Sequence, residues 1–574
     1  MLANEDMRLE DHQVEWVPMK MYRQEDSARL WFHDSVHNNP PSSPMGASVY
    51  HWPRGTRYAA EWFTFPYSEG FDYVLYDGRI FPGPMPITDP EVIKAKEPIF
   101  QQKLMDMLEN WPQRYADIVE EWTASLDYLK GINKKTLPLD RLINVLKDAV
   151  KISKRSWELH FVCMYPAHFA YMTFEAICAK YNIEERQMRT FLQGFETKMF
   201  EIDRALWKLA DVANELDLAE EFNEISTQEE LNERLIKSTK GKLWLGKFTQ
   251  FLEKYGRRST AALFDCAYRT WIEDPMPAFT TIQTYILKGS FDFEKHTKKI
   301  IAERDEYIAR TVADIPEEDR GEFLQALKLA QYSYPFNEDH NFYVEQWTYS
   351  ELRYAIQECG RRLVHWGFID EIDDVFFMTI DELEGVLEDI LINKKIGIEE
   401  HHTRVHSMVY RRKDVWTKLH KVKVNPFIGT VPEGKIDDPV FIKIWGMTDE
   451  VIRGQAKPEI DVENRWEGFP GAPGVVEGIA RVIFDYEGFS EVQPDEILIA
   501  PFTTPAWTPL FSKIRGVATD SGGMLAHAAI CAREYDIPAV VGTITRGKRV
   551  TDGIVTGQKV RIDGTKGVVE LLEE

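Results

Sequence analysis

The stretch GVATDSGGMLAHAAICAREYDIPAVVG, residues 516–542, decides the fold of the C-terminal part of the chain. Its apolar run up to Thr519 predicts a β-strand, and Gly522 with Gly523 predicts a tight turn. The segment AHAAICAREYD that follows predicts a helix, and AVVG at 539–542 predicts another strand. Strand, turn, helix and strand in this close succession predict an α/β domain.

His527 occupies the first turn of the predicted helix, which begins near Leu525 or Ala526. Amide N–H groups without intrahelical partners converge there with the positive end of the helix dipole, and together they favour a bound anion. The same field disfavours a charged imidazole, so we expect His527 to stay neutral near physiological pH. A neutral imidazole can attack phosphorus. The pattern therefore favours a nucleophile that accepts a phosphoryl group over a histidine that only packs at a helix cap.

The residues around this stretch extend the same domain. Short β-rich runs bounded by glycine recur between residues 468 and 574, namely GIARVIF, EILIA, QKVRID and GVVELL. They predict a compact α/β domain over 468–574. The preceding residues 431–467 are polar, contain proline and glycine and show no clear period, which predicts a linker or hinge.

This domain resembles the swivelling phosphohistidine domain of the phosphoenolpyruvate-utilising enzymes, a group that includes phosphoenolpyruvate synthase, pyruvate phosphate dikinase and rifampin phosphotransferase. Their pattern is roughly G-G-x-T-S-H-A-A-I-x-A-R-E-x-x-I-P-A-V-V-G. The positions that match it are Gly522, Gly523, His527, Ala528, Ala529, Ile530, Ala532, Arg533, Glu534, Ile537, Pro538, Ala539 and Val540. The flanks that match as well are GFPGAPGVVEGIARV (468–482), PFTTPAWTPLF (501–511) and VRIDGTKGVVELL (560–572).

The resemblance implies that His527 is the catalytic residue. The residues that it implies for holding the phosphate are Gly522, Gly523, Thr519 and Arg533. One departure from the pattern is that Leu525 and Ala526 replace the usual threonine and serine. Hydroxyl help to the phosphate at that spot is therefore absent or comes from Thr519 or Ser521.

The N-terminal part of the chain is predicted to be mostly helical. Residues 1–87 are rich in proline and aromatic residues, which predicts an irregular segment packed on the helices, and RIFPGPMPITDP within it predicts loops and turns. Thr88 with Glu91 forms a capping-box pattern, and apolar residues at helical spacing continue from there to about residue 430. The same capping pattern recurs at Ser226 with Glu229 and at Thr379 with Glu382. The prediction is a multidomain protein with a large, mostly α-helical N-terminal region and a C-terminal α/β swivelling phosphohistidine domain.

Residues 1–430 resemble the acceptor portion of rifampin phosphotransferase and, more closely, that of phenylphosphate synthase. The stretches that carry this weaker resemblance are RLWFHDSVHNNPPSSP (29–44), EKYGRRSTAALFDCAYRTWIEDP (253–275) and NEDHNFYVEQWTYSELR with RRLVHWGFIDEIDDVFFMTIDEL (within 337–383). The resemblance implies that the helical domain, residues 88–430, binds a phenol-like hydroxyl compound. It also implies that the ATP-grasp domain that charges the histidine is a separate subunit.

Polar side chains in these stretches supply candidate groups for the acceptor site. Arg257 and Arg258 are adjacent cations that suit a phosphoryl group in transit, although they equally suit ion pairs in an acidic chain. Glu338 and His340 suit a base for the acceptor hydroxyl, although they equally suit the polar surface of a helix.

His33 and His37 lie four residues apart near a loop and suit the lining of a pocket. Their spacing also suits a metal, but no carboxylate or third ligand stands at a recognisable spacing, so no metal site is predicted in this chain. The segment GKLWLGKF (241–248) has the glycines and lysine of a phosphate loop but ends in Phe248 and follows no predicted strand. ATP, with its Mg²⁺, is therefore expected on the ATP-grasp subunit.

Composition excludes several classes of partner. The 574-residue chain carries a formal net charge of −24, which disfavours nucleic acid and anionic lipid. Its start, MLANEDMRLEDHQ, lacks the apolar core of a signal peptide, and no apolar run reaches the ~18 residues of a membrane helix. The five cysteines are scattered, which favours a reducing compartment, and we expect a cytoplasmic protein.

Together these patterns predict an ATP-dependent, dikinase-type phosphotransferase subunit. A partner ATP-grasp subunit phosphorylates His527, the domain swivels on the hinge at 431–467, and a phenol-like hydroxyl takes the phosphoryl group. Two alternatives stay open, a phosphocarrier that donates to a partner protein and a hydroxyl kinase subunit of the antibiotic type. A buried aromatic pocket facing His527 favours the enzyme, a flat helical surface favours the carrier, and a large open apolar cleft favours the antibiotic kinase.

Overall fold

A computed structural model shows two compact units, each discontinuous in sequence. One comprises Met1–Tyr165, Ala262–Tyr268 and Tyr343–Glu433, and the other comprises Pro166–Ala261, Arg269–Phe342 and Gly434–Glu574. The residues that the structure describes are 22–34, 38, 41–222, 227–259, 264–288, 293–392, 398–420, 422, 427–434, 442, 449, 452–453, 464–484, 486–503, 507–524, 526–543 and 549–572.

The α-helices of this part of the chain are α1 (Pro44–Ser48), α2 (Trp52–Phe63), α3 (Pro90–Glu109), α4 (Trp111–Gly131), α5 (Leu139–Lys180), α6 (Glu185–Thr190), α7 (Lys198–Glu215), α8 (Gln228–Leu235), α9 (Thr239–Tyr255), α10 (Met276–Lys288), α11 (Phe293–Asp314), α12 (Arg320–Ser333), α13 (Phe336–His340), α14 (Thr348–His365), α15 (Ile380–Ile392), α16 (Ile398–Leu419), α17 (Thr508–Phe511), α18 (His527–Glu534) and α19 (Val550–Gly553). Within the described residues, no helix is both long and apolar enough to cross a membrane. The strands are β1 (Leu30–Phe32), β2 (Ser68–Tyr76), β3 (Arg79–Pro86), β4 (Phe427–Gly429), β5 (Arg465–Glu467), β6 (Phe469–Ala472), β7 (Val475–Val482), β8 (Ile497–Ala500), β9 (Gly516–Thr519), β10 (Ala539–Val541), β11 (Lys559–Asp563) and β12 (Val568–Leu571).

The first unit differs from the prediction of an irregular start, because residues 44–86 form α1, α2 and a β-hairpin. Strands β2 and β3 pair in antiparallel register, from Tyr76 opposite Arg79 to Ser68 opposite Pro86. The segment RIFPGPMP was predicted to form loops because of its prolines. It forms β3 instead, since the sheet has only two strands and a proline on an open edge removes no ladder hydrogen bond.

The C-terminal part of the second unit contains an eight-stranded sheet in the order β5-β12-β11-β7-β8-β9-β10-β6. Strands β7, β8, β9 and β10 run parallel to one another, and β6 and β11 join this group in antiparallel pairing. Together with the helices before it, this sheet confirms the predicted fold class, a large helical N-terminal region followed by an α/β domain. The domain boundaries at 1–87, 88–430, 431–467 and 468–574 stay predictions, since most of the predicted hinge lies outside the described residues.

Helix starts agree with the capping patterns to within one residue. The N-cap of α3 is Asp89 rather than Thr88, and that of α8 is Thr227 rather than Ser226, which lies outside the described residues. In both helices the cap is the last residue with extended backbone and its side-chain oxygen accepts an amide hydrogen bond. The predicted capping box at Thr379 is confirmed at the start of α15.

The first turn of α7 joins the helical part of the second unit to the sheet domain. Met199 belongs to the same buried cluster as Phe511, Ala528 and Cys531 of the C-terminal domain. Burial of apolar side chains in one shared core holds the two parts together. The contact places α7 beside α18, the helix that begins with His527.

Candidate active site

The chain enters the candidate site through the turn between β9 and α18. Gly522 has a φ of +112°, a conformation that residues with a Cβ rarely adopt. The Ala526 N–H donates to the Gly523 carbonyl at 3.1 Å and closes the turn. Asp520, before the turn, accepts hydrogen bonds from the first turn of α19 at 3.0 and 2.6 Å. The two glycines therefore make the predicted tight turn and deliver His527 to the helix start.

His527 is the first residue of α18, and Ala526 is the N-cap. Since alanine has no side-chain oxygen, the cap makes no side-chain hydrogen bond. Helix geometry leaves the first amide N–H groups of α18 without intrahelical acceptors, which suits an anion. His527 itself is buried, with 9% of its surface exposed.

Two threonines and a cysteine hold the imidazole. Thr503 Oγ1 lies 2.8 Å from Nδ1 of His527, and Thr508 Oγ1 lies 3.1 Å from Nε2. Cys531 Sγ lies 3.0 Å from the same Nε2. The ring of Phe511 packs edge-on against the imidazole at a centroid distance of 5.8 Å. Both ring nitrogens therefore have hydrogen-bond partners.

Two neutral tautomers of His527 are compatible with these contacts, because each ring nitrogen has a partner that can donate or accept. Burial raises the pKa of the Cys531 thiol well above its ordinary value, so the thiol keeps its proton. That single proton is directed either to the Met199 sulfur, 3.5 Å away, or to Nε2 of His527. A nucleophilic Nε2 requires the tautomer with the ring proton on Nδ1, beside the Thr503 oxygen.

The imidazole is neutral at physiological pH, as the sequence predicts, but for a different reason. Burial lowers the pKa of His527 to about 3, and the positive charge of Arg258 acts in the same direction. The sequence pointed to the helix dipole. The structure attributes the effect to desolvation and to a cation from a distant part of the chain.

The predicted phosphate-holding side chains serve the scaffold in this structure. The Thr519 hydroxyl donates to the Ser521 carbonyl at 2.9 Å, within the turn. The Arg533 guanidinium donates to the carbonyls of Gly471 and Met524 at 2.9 and 3.2 Å. The roles of Thr519, Arg533 and the two glycines of the turn toward a phosphate stay predictions.

The hydroxyls on the ring come from residues that the sequence analysis did not single out. The sequence predicted that a hydroxyl near the phosphate is absent or belongs to Thr519 or Ser521. In the structure, the hydroxyls of Thr503 and Thr508 contact the His527 ring. Both lie in the flank PFTTPAWTPLF, which matches the family pattern. The parallel pairing of β8 with β9 brings this flank, which follows β8, beside the turn that follows β9.

Arg258 is a predicted acceptor residue that the structure brings to the histidine. It lies just after α9, is 5% exposed, and its guanidinium stacks over Trp271 at 4.5 Å. Burial lowers the pKa of Arg258 to about 10, with Asp203 and Cys531 acting in the opposite direction, so it remains charged at neutral pH. Its charge also acts on His527.

Asp203 on α7 completes this buried cluster. Its carboxylate accepts a hydrogen bond from the Tyr285 hydroxyl and another, at 2.8 Å, from the Tyr535 hydroxyl. Trp207, one turn further along α7, stacks on Tyr285 at 4.0 Å. Burial raises the pKa of Asp203 to about 6, against the two hydroxyls and Arg258, which lower it. A single aspartate in a helix carries no sequence signal, and the sequence analysis missed it.

Glu338 and His340, the predicted bases, lie on α13 in the same unit as His527. They are 7% and 8% exposed, so the alternative of polar residues on a helix surface does not describe them. The charge of Glu338 acts on Cys531, and His340 Nδ1 lies 2.8 Å from the Phe336 carbonyl. Their role as base stays a prediction.

Arg257 and His33 are placed differently. Arg257 donates to the Glu253 carbonyl at 3.0 Å, one turn back along the chain. His33 belongs to the other compact unit, where its Nε2 lies 3.2 Å from the Asn38 carbonyl and its ring packs against Phe81. His37 lies outside the described residues.

A cavity of about 410 Å³ lies beside the buried cluster. Asp203 and Tyr535 line it together with Phe511, whose ring packs on His527. Its other aromatic lining residues are Phe195, Phe200, Trp207 and Phe293. Charged or titratable side chains, among them Glu196, Arg204 and His296, contribute to the lining as well. A pocket of this size that combines aromatic and polar side chains is typical of a site for a small organic molecule.

Two family profiles match the chain. Residues 160–338 match the rifampicin phosphotransferase fourth domain, and residues 492–567 match the mobile domain of PEP-utilising enzymes. The first range contains Asp203 and Arg258, and the second contains His527 with its two threonines. The chain therefore contains a range similar to the mobile domain of PEP-utilising enzymes, and this range bears a buried, neutral histidine.

Individual relatives are of three kinds. The chain is 27% identical, over 97% of its length, to chondramide synthase cmdD of Chondromyces crocatus, of which it covers 14%. It is 26% identical, over 73% of its length, to the uncharacterized phosphotransferase YvkC of Bacillus subtilis, and 26% identical, over 81%, to the rifampicin phosphotransferase of the same species. It covers 47% and 50% of these two proteins, so the chain spans about half the length of the phosphotransferases that it matches.

Proposed function

We propose that this chain carries a phosphoryl group on His527 and passes it to the hydroxyl of a small, phenol-like acceptor, as the resemblance to phenylphosphate synthase implies. The observation that supports this most directly is the state of His527. Its ring is neutral and oriented by hydrogen bonds at both nitrogens, and it lies beside a buried cation and an aromatic cavity. The cavity is the feature that favours an enzyme over a phosphocarrier with a flat docking surface.

In the first half-reaction, Nε2 of His527 attacks the donor phosphorus and the donor's leaving group departs with the bonding electron pair. The Nδ1–H stays hydrogen-bonded to Thr503, which stabilises the positive ring that forms as the P–N bond is made. We propose ATP as the donor, bound with Mg²⁺ by an ATP-grasp subunit. No residue of this chain is assigned to the metal ion.

In the second half-reaction, the acceptor oxygen attacks phosphorus and the P–N bond breaks, so the electron pair returns to Nε2. The phosphoryl oxygens carry charge throughout the transfer, and the buried Arg258 beside His527 supplies a positive charge that stabilises it. The second candidate function is a hydroxyl kinase subunit of the antibiotic type, which the match to rifampicin phosphotransferase favours. Both candidates use the same histidine and the same chemistry.

The experiment separates the two half-reactions. The chain is phosphorylated with phosphoramidate, a small-molecule donor that modifies histidines, and the transfer of phosphate to phenol is followed by phosphorus NMR. We expect Arg258→Ala to keep the phosphohistidine at His527 but to transfer it about 100-fold more slowly, in line with the loss of a charge clamp. Arg234→Ala, which removes a surface i,i+4 ion pair in the same unit, is the matched control. Normal transfer in Arg258→Ala would contradict the site assignment.

A further inference from the structure

We infer that Asp203 is the general base that takes the proton of the acceptor hydroxyl, and that the aromatic cavity lined by Asp203 binds the ring of an aromatic hydroxy compound. This inference rests on the proposed function and gives its acceptor a site. It names a residue on α7 that lines the cavity and lies in electrostatic reach of Arg258, and that no motif in the sequence indicates.

The hydrogen bonds of Asp203 suit a base. The hydroxyls of Tyr285 and Tyr535 both donate to its carboxylate, one to each oxygen. Burial raises the pKa values of both tyrosines well above their ordinary range, so they keep their protons and orient the carboxylate. Each carboxylate oxygen retains a second lone pair for an acceptor proton.

The surroundings of Asp203 keep it ready to accept a proton near neutral pH. Burial raises the pKa of Asp203 to about 6, which matches the requirement that a general base titrate near the working pH. The charged and titratable groups that face it are Tyr285, Tyr535 and Arg258 in direct electrostatic reach, with Glu196, Arg204, His296 and Glu534 on the cavity wall. Arg204 and Glu196 form an ion pair with each other at 2.8 Å.

The lining of the cavity favours an acceptor molecule that contains an aromatic ring. Six of its seventeen lining residues carry the ring of a phenylalanine, tyrosine or tryptophan, and the ring of Trp207 is already stacked on Tyr285. Flat rings offer large contact areas and offset-stacked or edge-on packing to an aromatic guest. Glu338 and His340, the bases expected from the sequence, are not among the lining residues identified for this cavity in the described part of the chain.

The step balances as a simple group transfer. The acceptor oxygen forms a bond to phosphorus while its proton moves to a carboxylate oxygen of Asp203. The bond between phosphorus and Nε2 breaks, and its electron pair stays on the neutral imidazole. The products are an aryl phosphate, a free His527 and a protonated Asp203 that loses its proton to solvent before the next turnover.

The first test follows transfer from the phosphoramidate-labelled chain to phenol, with the rate of hydrolysis in the absence of phenol subtracted. In the native chain we expect the rate to rise with pH through about 6, as Asp203 loses its proton, and then to level off. Asp203→Asn should slow transfer about 100-fold and remove this acid limb, while Asp203→Glu should restore part of both. Asp211→Asn, on the same helix but outside the cavity lining, is the matched control.

Each possible result of this test supports or overturns one of the two assignments, the base or the aromatic acceptor. An unchanged rate and pH profile in Asp203→Asn overturns the assignment of the base. A native chain that keeps its phosphohistidine in the presence of phenol and of 2-naphthol overturns the assignment of an aromatic acceptor. Failure of the proposed function itself looks different, because His527 then carries no phosphoryl group in any variant.

The second test leaves Asp203 untouched, so it holds even if a buried aspartate cannot be replaced without unfolding. Thr297 on α11 lines the cavity, and Thr297→Trp fills part of it. We expect at least a tenfold higher KM for phenol with unchanged hydrolysis of phosphohistidine. Lys298→Trp, at a neighbouring side chain that is 77% exposed, should leave KM unchanged. Equal KM values for the two variants would place the acceptor elsewhere.

Discussion

At the scale of single residues, the chemistry of the site depends on where one proton lies. Thr503 and Cys531 lie within hydrogen-bond distance of Nδ1 and Nε2 of His527, and the proposed reaction requires a proton on Nδ1 and a lone pair on Nε2. Arg258 adds a positive charge that opposes protonation of the ring. These partners come from three separate stretches of the sequence.

The tautomer is testable directly. Since burial and Arg258 lower the pKa of His527 to about 3, its ring stays neutral at pH values well above that, including pH 5, where an exposed histidine is mostly charged. Long-range proton–nitrogen spectra of histidine-labelled protein should show a neutral ring with the proton on Nδ1. A charged ring, or a proton on Nε2, would contradict the assignment of Nε2 as nucleophile.

The sequence predicted part of this residue-level picture. His527 was identified because its motif is local, a tight turn directly followed by a helix. Arg258 was a candidate acceptor-site residue because of its charge and because the stretch 253–275 resembles the acceptor portion of the related phosphotransferases. Asp203 and Thr503 were missed, since neither stands near His527 in sequence. Their roles follow from the packing of α7 and β8 against the helix that carries the histidine.

At the scale of elements, α18 begins without a capping side chain. The N-cap is Ala526, at a position where the family pattern has serine. An oxygen at the N-cap accepts from the second or third amide of the helix and stabilises it by roughly 0.5–2 kcal/mol. The present sequence lacks that stabilisation, so no side chain of the N-cap accepts from these amides.

Restoring the cap should therefore stabilise α18. We expect Ala526→Ser to slow hydrogen exchange of the amides in the first turn by about fivefold, the equivalent of ~1 kcal/mol. Phosphorylation of His527 in the native chain should slow the same amides, because the phosphoryl oxygens then accept from them. Unchanged exchange in both cases would contradict an anion site at this helix start.

At the scale of the whole molecule, His527 is buried within the second compact unit, which includes both α6 and the C-terminal sheet domain. Arg189 of α6 binds both β6 and the turn before α18. Its guanidinium donates to the carbonyls of Pro470 and Gly471 in β6 at 3.2 and 3.3 Å, and to the Met524 sulfur in the turn at 3.5 Å. A ring with 9% of its surface exposed has little room for a donor. Under the proposed function, phosphorylation of His527 therefore requires these contacts to open.

Weakening the contacts should speed the first half-reaction. We expect Arg189→Ala to accelerate labelling of His527 by phosphoramidate severalfold, because the mobile domain spends more time away from α6. Arg310→Ala is the control, since its partner Glu306 lies one turn away on the same helix and both side chains are about two-thirds exposed. Equal labelling rates for Arg189→Ala and the native chain would show that opening does not limit access.

At this scale, the parts of the fold that depend on local sequence patterns were predictable. Glycine-bounded strands and helical periodicity gave the α/β domain and the helical region. The β2–β3 hairpin was not predictable from composition, because prolines such as Pro84 normally disfavour a strand and are tolerated only on an open edge, which the sequence does not reveal. The sequence did not predict that each unit consists of three separate segments of the chain. A short segment such as Ala262–Tyr268 is assigned to its unit by contacts with residues distant in sequence, and no local pattern marks its ends.

The central claim is that the phosphoryl group passes through His527, and one measurement tests it most directly. The native chain, His527→Ala and His168→Ala, which alters another buried histidine, are treated with phosphoramidate and then with phenol. Mass spectrometry locates the phosphohistidine, and phosphorus NMR measures the phenyl phosphate that forms. The account predicts phosphate on His527 and product from the native chain and from His168→Ala, with neither from the folded His527→Ala. Product from His527→Ala at the native rate would contradict it.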